Sequence, residues 1–136
     1  MFVLYAQESL HLVSSLRNLA ELHRVLGNFD EAERHLLRAL RIREQYGDEL
    51  AAAEMVNVLG SFYFASGRYE DANDYLSRSL AAHERLLGPD HLVVSDVLHS
   101  YALVLRRKGL YKETEMHLKR ALAIQEQRLG SNSPHL

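Results

Sequence analysis

Reactive chemistry in this chain would have to come from eight histidines, eighteen carboxylates and scattered hydroxyls, because the sequence holds no cysteine. That absence removes thiolate metal ligands, cysteine nucleophiles and disulfides together. A histidine metal site on one helix needs two imidazoles a turn apart. His11, His23, His35, His83, His91, His99, His117 and His135 never recur at that spacing, and no His-Glu-x-x-His run occurs. His83, His91 and His117 read as surface or linker positions. A phosphate cradle needs a Gly-x-x-x-x-Gly-Lys run after a strand, whereas the glycines here end helical patterns. No Ser, His or acid stands apart from the repeating pattern, so no enzyme activity, metal or cofactor is expected.

The elements that carry these residues are set by a repeat. Gly27, Gly67 and Gly109 form one series, and Gly47, Gly88 and Gly130 a second, with spacings of 40 to 42 residues. Each glycine of the first series opens a Gly-x-aromatic-acidic segment: Gly27-Asn28-Phe29-Asp30, Gly67-Arg68-Tyr69-Glu70 and Gly109-Leu110-Tyr111-Lys112-Glu113. Such a segment stops one helix, turns, and starts another with acids at its positive end. Between the marks the apolar residues recur at helical spacing, for example Leu16, Leu19, Ala20, Leu22 and Val25. The spacing predicts helices near 9–26, 29–46, 50–66, 69–87, 91–108 and 111–129.

Superposed, the three units align Ala20, Gly60 and Ala102 in one register, Ala32, Ala72 and Thr114 in a second, and Ala39, Ser79 and Ala121 in a third. Small residues at fixed offsets let the two backbones of a hairpin approach closely. The fold expected is all-α, a solenoid of three antiparallel helix hairpins. Its units are 9–48, 49–90 and 91–130, after an apolar arm or the end of a preceding helix at 1–8 and before a linker-like tail at 131–136.

Composition agrees with a globular helical domain: 47% hydrophobic, 25% charged and only two prolines in 136 residues. No apolar run approaches the roughly 18 residues of a membrane span, and no secretory leader is visible. Net charge is −2 at pH 7, which supplies no basic field for nucleic acid. A cytoplasmic location is expected, with neither nucleic acid nor membrane as partner. The charge is uneven: residues 48–89 are acidic, while the last unit is basic, with Arg106, Arg107 and Lys108 adjacent to Lys112.

The Asn18-Leu19-Ala20-Glu21-Leu22 segment, the Gly-x-aromatic turns with Glu31-Ala32, and Arg38-Ala39-Leu40 resemble tetratricopeptide (TPR) repeats. The 40–42-residue period, with Leu87-Gly88-Pro89-Asp90-His91 linking two units, is similar to the longer repeats of kinesin light chains. Leu16, Val56 and Leu98 stand where the family often carries Trp.

The resemblance implies a right-handed superhelix. The first helix of each pair lines a concave groove that binds a peptide or partner segment without catalysis. On the matching register the groove takes Ser14, Arg17, Asn18, Glu21 and Arg24 from the first unit. It takes Glu54, Asn57, Ser61 and Phe64 from the second, and Asp96, His99, Leu103, Arg106 and Arg107 from the third. Of three consecutive aromatics, Phe62, Tyr63 and Phe64, not all can enter one core; Phe64 is assigned to the groove. Where one subfamily clamps a chaperone's C-terminal carboxylate, this chain has Arg17, Glu21, Val58, Asp96 and Ser100, and the two acids would repel that ligand. No such clamp is expected. The function expected is a protein–protein interaction scaffold, a module of a larger array. The alternative is an assembly module that forms homo-oligomers through uncapped terminal helices, since an array must cover the apolar faces of its outermost hairpins.

Overall fold

The computed structural model describes residues 2–130. They form six helices: α1 (Phe2–Val25), α2 (Phe29–Tyr46), α3 (Glu49–Ala65), α4 (Tyr69–Leu87), α5 (Leu92–Arg107) and α6 (Tyr111–Leu129). Successive helices pair as hairpins, α1 with α2, α3 with α4 and α5 with α6; the hairpins stack through α2 on α3 and α4 on α5. The architecture is an all-α TPR-like solenoid. Residues 2–8 are the opening turns of α1 itself, where an arm or the tail of another helix was expected. No glycine, proline or capping residue separates them from residue 9, so nothing interrupts the helix. The tail at 131–136 lies outside the described residues.

The first glycine series closes all three hairpin turns identically. Gly27, Gly67 and Gly109 have φ of 81°, 79° and 81°, a left-handed conformation that glycine adopts without the Cβ penalty. The Asn28 amide donates to the His23 carbonyl at 2.7 Å and the Gly27 amide to that of Arg24 at 3.1 Å. Arg68 and Gly67, then Leu110 and Gly109, repeat this pair of bonds. Helix-end carbonyls are thereby satisfied three times by one local device.

Between hairpins the links differ. Gly47 is extended at φ −93° and Gly88 left-handed at φ +93°. Asp48 caps α3, its Oδ1 accepting from the Ala51 amide at 2.7 Å, while His91 caps α5, its Nδ1 accepting from Val93 at 3.1 Å. Polar bridges then tie unit to unit. Glu33 on α2 accepts from the Tyr63 hydroxyl at 2.6 Å and from Arg68 at 2.9 Å, and Arg120 on α6 donates to Glu84 at 3.2 Å and to the Pro89 carbonyl at 3.0 Å.

All nine small residues of the three registers are buried, as are Leu16, Val56 and Leu98. The core is two clusters, one running from Val13 on α1 to Val104 on α5, the other joining Leu80 to Val94, Val97, Leu98, Ala121 and Ile124, with Tyr101 packed against both. His83 corrects the surface reading: it is 1% exposed and its Nδ1 donates to the Ser79 carbonyl at 2.8 Å. It stands one turn beyond Ser79, so the face that buries Ser79 buries it too. His117 is half-buried against Tyr101, with ring centroids 5.3 Å apart.

Candidate functional site

The first helices of neighbouring hairpins need not touch, and here the two junctions differ. The backbones of α3 and α5 approach each other, whereas among the described residues those of α1 and α3 do not. The gap between α1 and α3 is a cavity of about 700 Å³. Ser14, Arg17, Asn18, Glu21 and Arg24 of α1 line one wall at one-turn intervals; Asn57, Val58, Ser61, Phe62 and Ala65 of α3 line the other; Ala20 and Leu36 contribute apolar surface. The chemistry is that of a polar-walled slot with apolar patches: amides and hydroxyls that donate and accept, beside aliphatic and aromatic surface.

Two details set its electrostatics. Arg24 donates to both carboxylate oxygens of Glu21, at 2.6 and 3.0 Å. This hydrogen bond holds the Glu21 carboxyl below its ordinary range and the Arg24 guanidinium above its own. The pair forms a fixed dipole on the rim, and Arg17 stands exposed a turn away on the same wall. On the facing wall, the Asn57 Oδ1 is buried and accepts no hydrogen bond from the described residues. A buried acceptor without a donor is costly, and this one belongs to a residue that lines the cavity.

Of the residues placed in the groove by sequence, Arg17, Asn18, Glu21, Arg24, Asn57 and Ser61 come together in this cavity, with Ser14. Phe64 does not line it. Its ring lies 5.5 Å from that of Tyr69, and it is partly buried against the first core cluster. Phe62 lines the cavity instead. The signal for Phe62 was present in the sequence: it stands one turn beyond Val58 and shares its face.

The third-unit residues also stand outside the cavity. His99 accepts at Nε2 from the Gln125 amide at 3.3 Å, and Leu103 is 41% exposed. Arg107 donates to the Tyr69 hydroxyl at 2.8 and 3.2 Å and lies over its ring, so it is engaged with the second hairpin. Arg106 is exposed, as are Glu54 and Asp96.

Comparison with known proteins bears on this geometry. Two tetratricopeptide repeat family models match, one over residues 49–127, more than half of the chain, and another over residues 12–46. Among solved structures, the chain is similar to BtubC (BKLC) from P. vanneervenii, with a TM-score of 0.78 at 23% identity, covering 87% of this chain and 48% of that one. The chain thus spans about half the length of that relative, and the likeness is one of fold. No curated protein matches.

Proposed function

This chain belongs to the tetratricopeptide repeat family, and from that premise we propose that the α1–α3 cavity holds an extended peptide segment of a protein partner. Such repeats are in general interaction modules without catalysis. The chain then acts as a cytoplasmic scaffold module within a larger array. The observation that carries the reading is the cavity itself, with the unpartnered Asn57 Oδ1 on one wall and Asn18 on the other. A peptide backbone offers the N–H that Asn57 lacks, and an amide side chain both donates to and accepts from such a backbone. Phe62, Val58 and Leu36 give one apolar side chain a place to anchor. Among the described residues, no helix is long and apolar enough to cross a membrane.

The test is selection of a peptide from a random library, followed by affinity measurement on Asn18→Ala and Asn57→Ala. Losing one hydrogen bond worth about 0.5–1.5 kcal/mol weakens binding roughly 2- to 12-fold. A melting temperature unchanged in Asn18→Ala separates this from unfolding. Arg106→Glu reports whether the ligand extends to the third unit. Affinity unchanged in both asparagine variants removes the groove reading.

A second reading rests on the outer faces. Leu12, Leu19, Leu22 and Leu26 on the α1 side, and Tyr111, Leu118, Leu122 and Leu129 on α6, are all exposed large apolar residues. Each set recurs at helical spacing and forms a stripe, the kind of surface that marks an interface. Solution mass by light scattering over a concentration series decides between the two readings. A monomer leaves the groove as the working surface, while a stable dimer assigns that role to the ends.

A further inference from the structure

We propose that His23, Glu31 and His35 form a binding site for a divalent transition-metal ion, with zinc as the ion tested. His23 is in the last turn of α1, and Glu31 and His35 stand one turn apart on α2. The Gly27 turn folds the two helices together, so side chains twelve residues apart in sequence face each other. One ligand atom from each of the three residues lies within 4.8 Å of the others. Zinc–ligand bonds of about 2.0 Å in a tetrahedral arrangement require ligand atoms about 3.3 Å apart. All three side chains are partly exposed, so modest rotations close that difference.

Several features mark these residues as more than a chance grouping. The imidazoles of His23 and His35 are stacked, with centroids 5.6 Å apart and planes 26° from parallel. The His23 Nδ1 is buried and has no hydrogen-bond partner among the described residues. Glu31 and His35 also line an open hollow of about 330 Å³, together with Arg34, Leu37, Arg38 and Arg41. The hollow gives an ion a way in and leaves room for a water in the fourth position. Two imidazoles and one carboxylate suit zinc, copper or nickel better than magnesium or calcium, which take all-oxygen shells. The arginines oppose binding: Arg34 pairs with Glu31 and must release it, which its 70% side-chain exposure permits. None of the three residues lines the α1–α3 cavity, so the site stands or falls independently of the groove.

A bound ion would pin the end of α1 to the start of α2 across the turn. The test uses the untagged full chain after chelator treatment, titrated with Zn2+ by calorimetry and with Co2+ by visible absorption. The expected result is one ion per chain, tetrahedral cobalt absorption, and, at a hundredfold excess over Kd, a melting temperature raised by roughly 8–11 °C. His23→Ala and His35→Ala should each weaken binding at least about tenfold; His11→Ala, which removes an exposed histidine outside the cluster, should not. Zinc-induced ring 15N shifts at His23 and His35 in the unmutated protein check the assignment without any substitution. Absence of binding, unmoved ring shifts at these two residues, or affinity unchanged from the parent protein in both histidine variants, the sign of an adventitious ion only, overturns the proposal.

Discussion

Gly60 is a sharp test of how this fold is held together, because two principles pull in opposite directions there. It lies inside α3, where replacing glycine by alanine ordinarily gains about 1 kcal/mol of helix propensity. A Cβ at that position would stand 2.6 Å from Leu76 Cγ, 2.7 Å from Leu76 Cδ2 and 3.2 Å from the Leu76 backbone nitrogen of α4. Leu76 is 1% exposed and cannot swing outward, and the nearby backbone atom prevents it from simply retreating. Overpacking of this kind costs about 1–3 kcal/mol. The expected net effect of Gly60→Ala is therefore a loss of about 1 kcal/mol, a fall in melting temperature of roughly 3–4 °C for a domain of this size.

The contrary case is built into the same molecule, since Ala20 occupies this register in the first hairpin opposite Leu36, and both are buried there. If the second hairpin could relax to that spacing, Gly60→Ala would stabilise the protein. Urea unfolding followed by circular dichroism distinguishes the signs. Adding Leu76→Ala sharpens the test: that substitution alone costs about 2–5 kcal/mol, and with the clash removed Gly60→Ala should become stabilising by up to about 1 kcal/mol. A stabilising Gly60→Ala in the parent protein would refute the reasoning from close approach.

Asp48→Ala removes the acceptor for the Ala51 amide at the start of α3 and should cost about 1 kcal/mol in urea unfolding. Tyr63→Phe deletes the 2.6 Å bond to Glu33 that ties the second hairpin to the first; with Arg68 still on that carboxylate, the expected loss is about 1–2 kcal/mol. Burial, with Arg120 nearby and Glu113 and Glu84 opposing, holds the His117 imidazole below its ordinary value of 6.5. Its folded-state value is thus lower than its unfolded one, so its contribution to stability is complete above about pH 6.5 and lost as pH falls through the depressed value. Unfolding free energies measured from pH 7.5 down to pH 5 should fall, and the fall should be shallower in His117→Gln.

What could be read from the chain and what could not divides along the range of the interactions. Gly27, Gly67 and Gly109 act on the residues beside them, so their spacing placed the hairpin turns within a residue or two. The small-residue registers likewise identified the buried faces, because a helix carries its face in its own period. His83 was misread because its partner, the Ser79 carbonyl, is a backbone group that no residue type announces. Phe64 was assigned to the groove because it shares a face with Asn57 and Ser61. The structure turns that ring toward Tyr69 of the next helix, and the choice between Phe62 and Phe64 depends on where α4 lies. The three histidine-cluster residues escaped for a related reason. A search for imidazoles one turn apart examines one helix at a time, whereas His23 meets His35 only because a left-handed glycine reverses the chain between them. In a solenoid, local signals therefore identify the hairpins, while the proposed sites lie where one helix faces another, at offsets set by turns and stacking. Neighbouring units with nearly the same local pattern can then differ in the spaces they enclose. The α1–α3 junction opens into a cavity, whereas at the α3–α5 junction the backbones approach each other, although both are built from the same repeat.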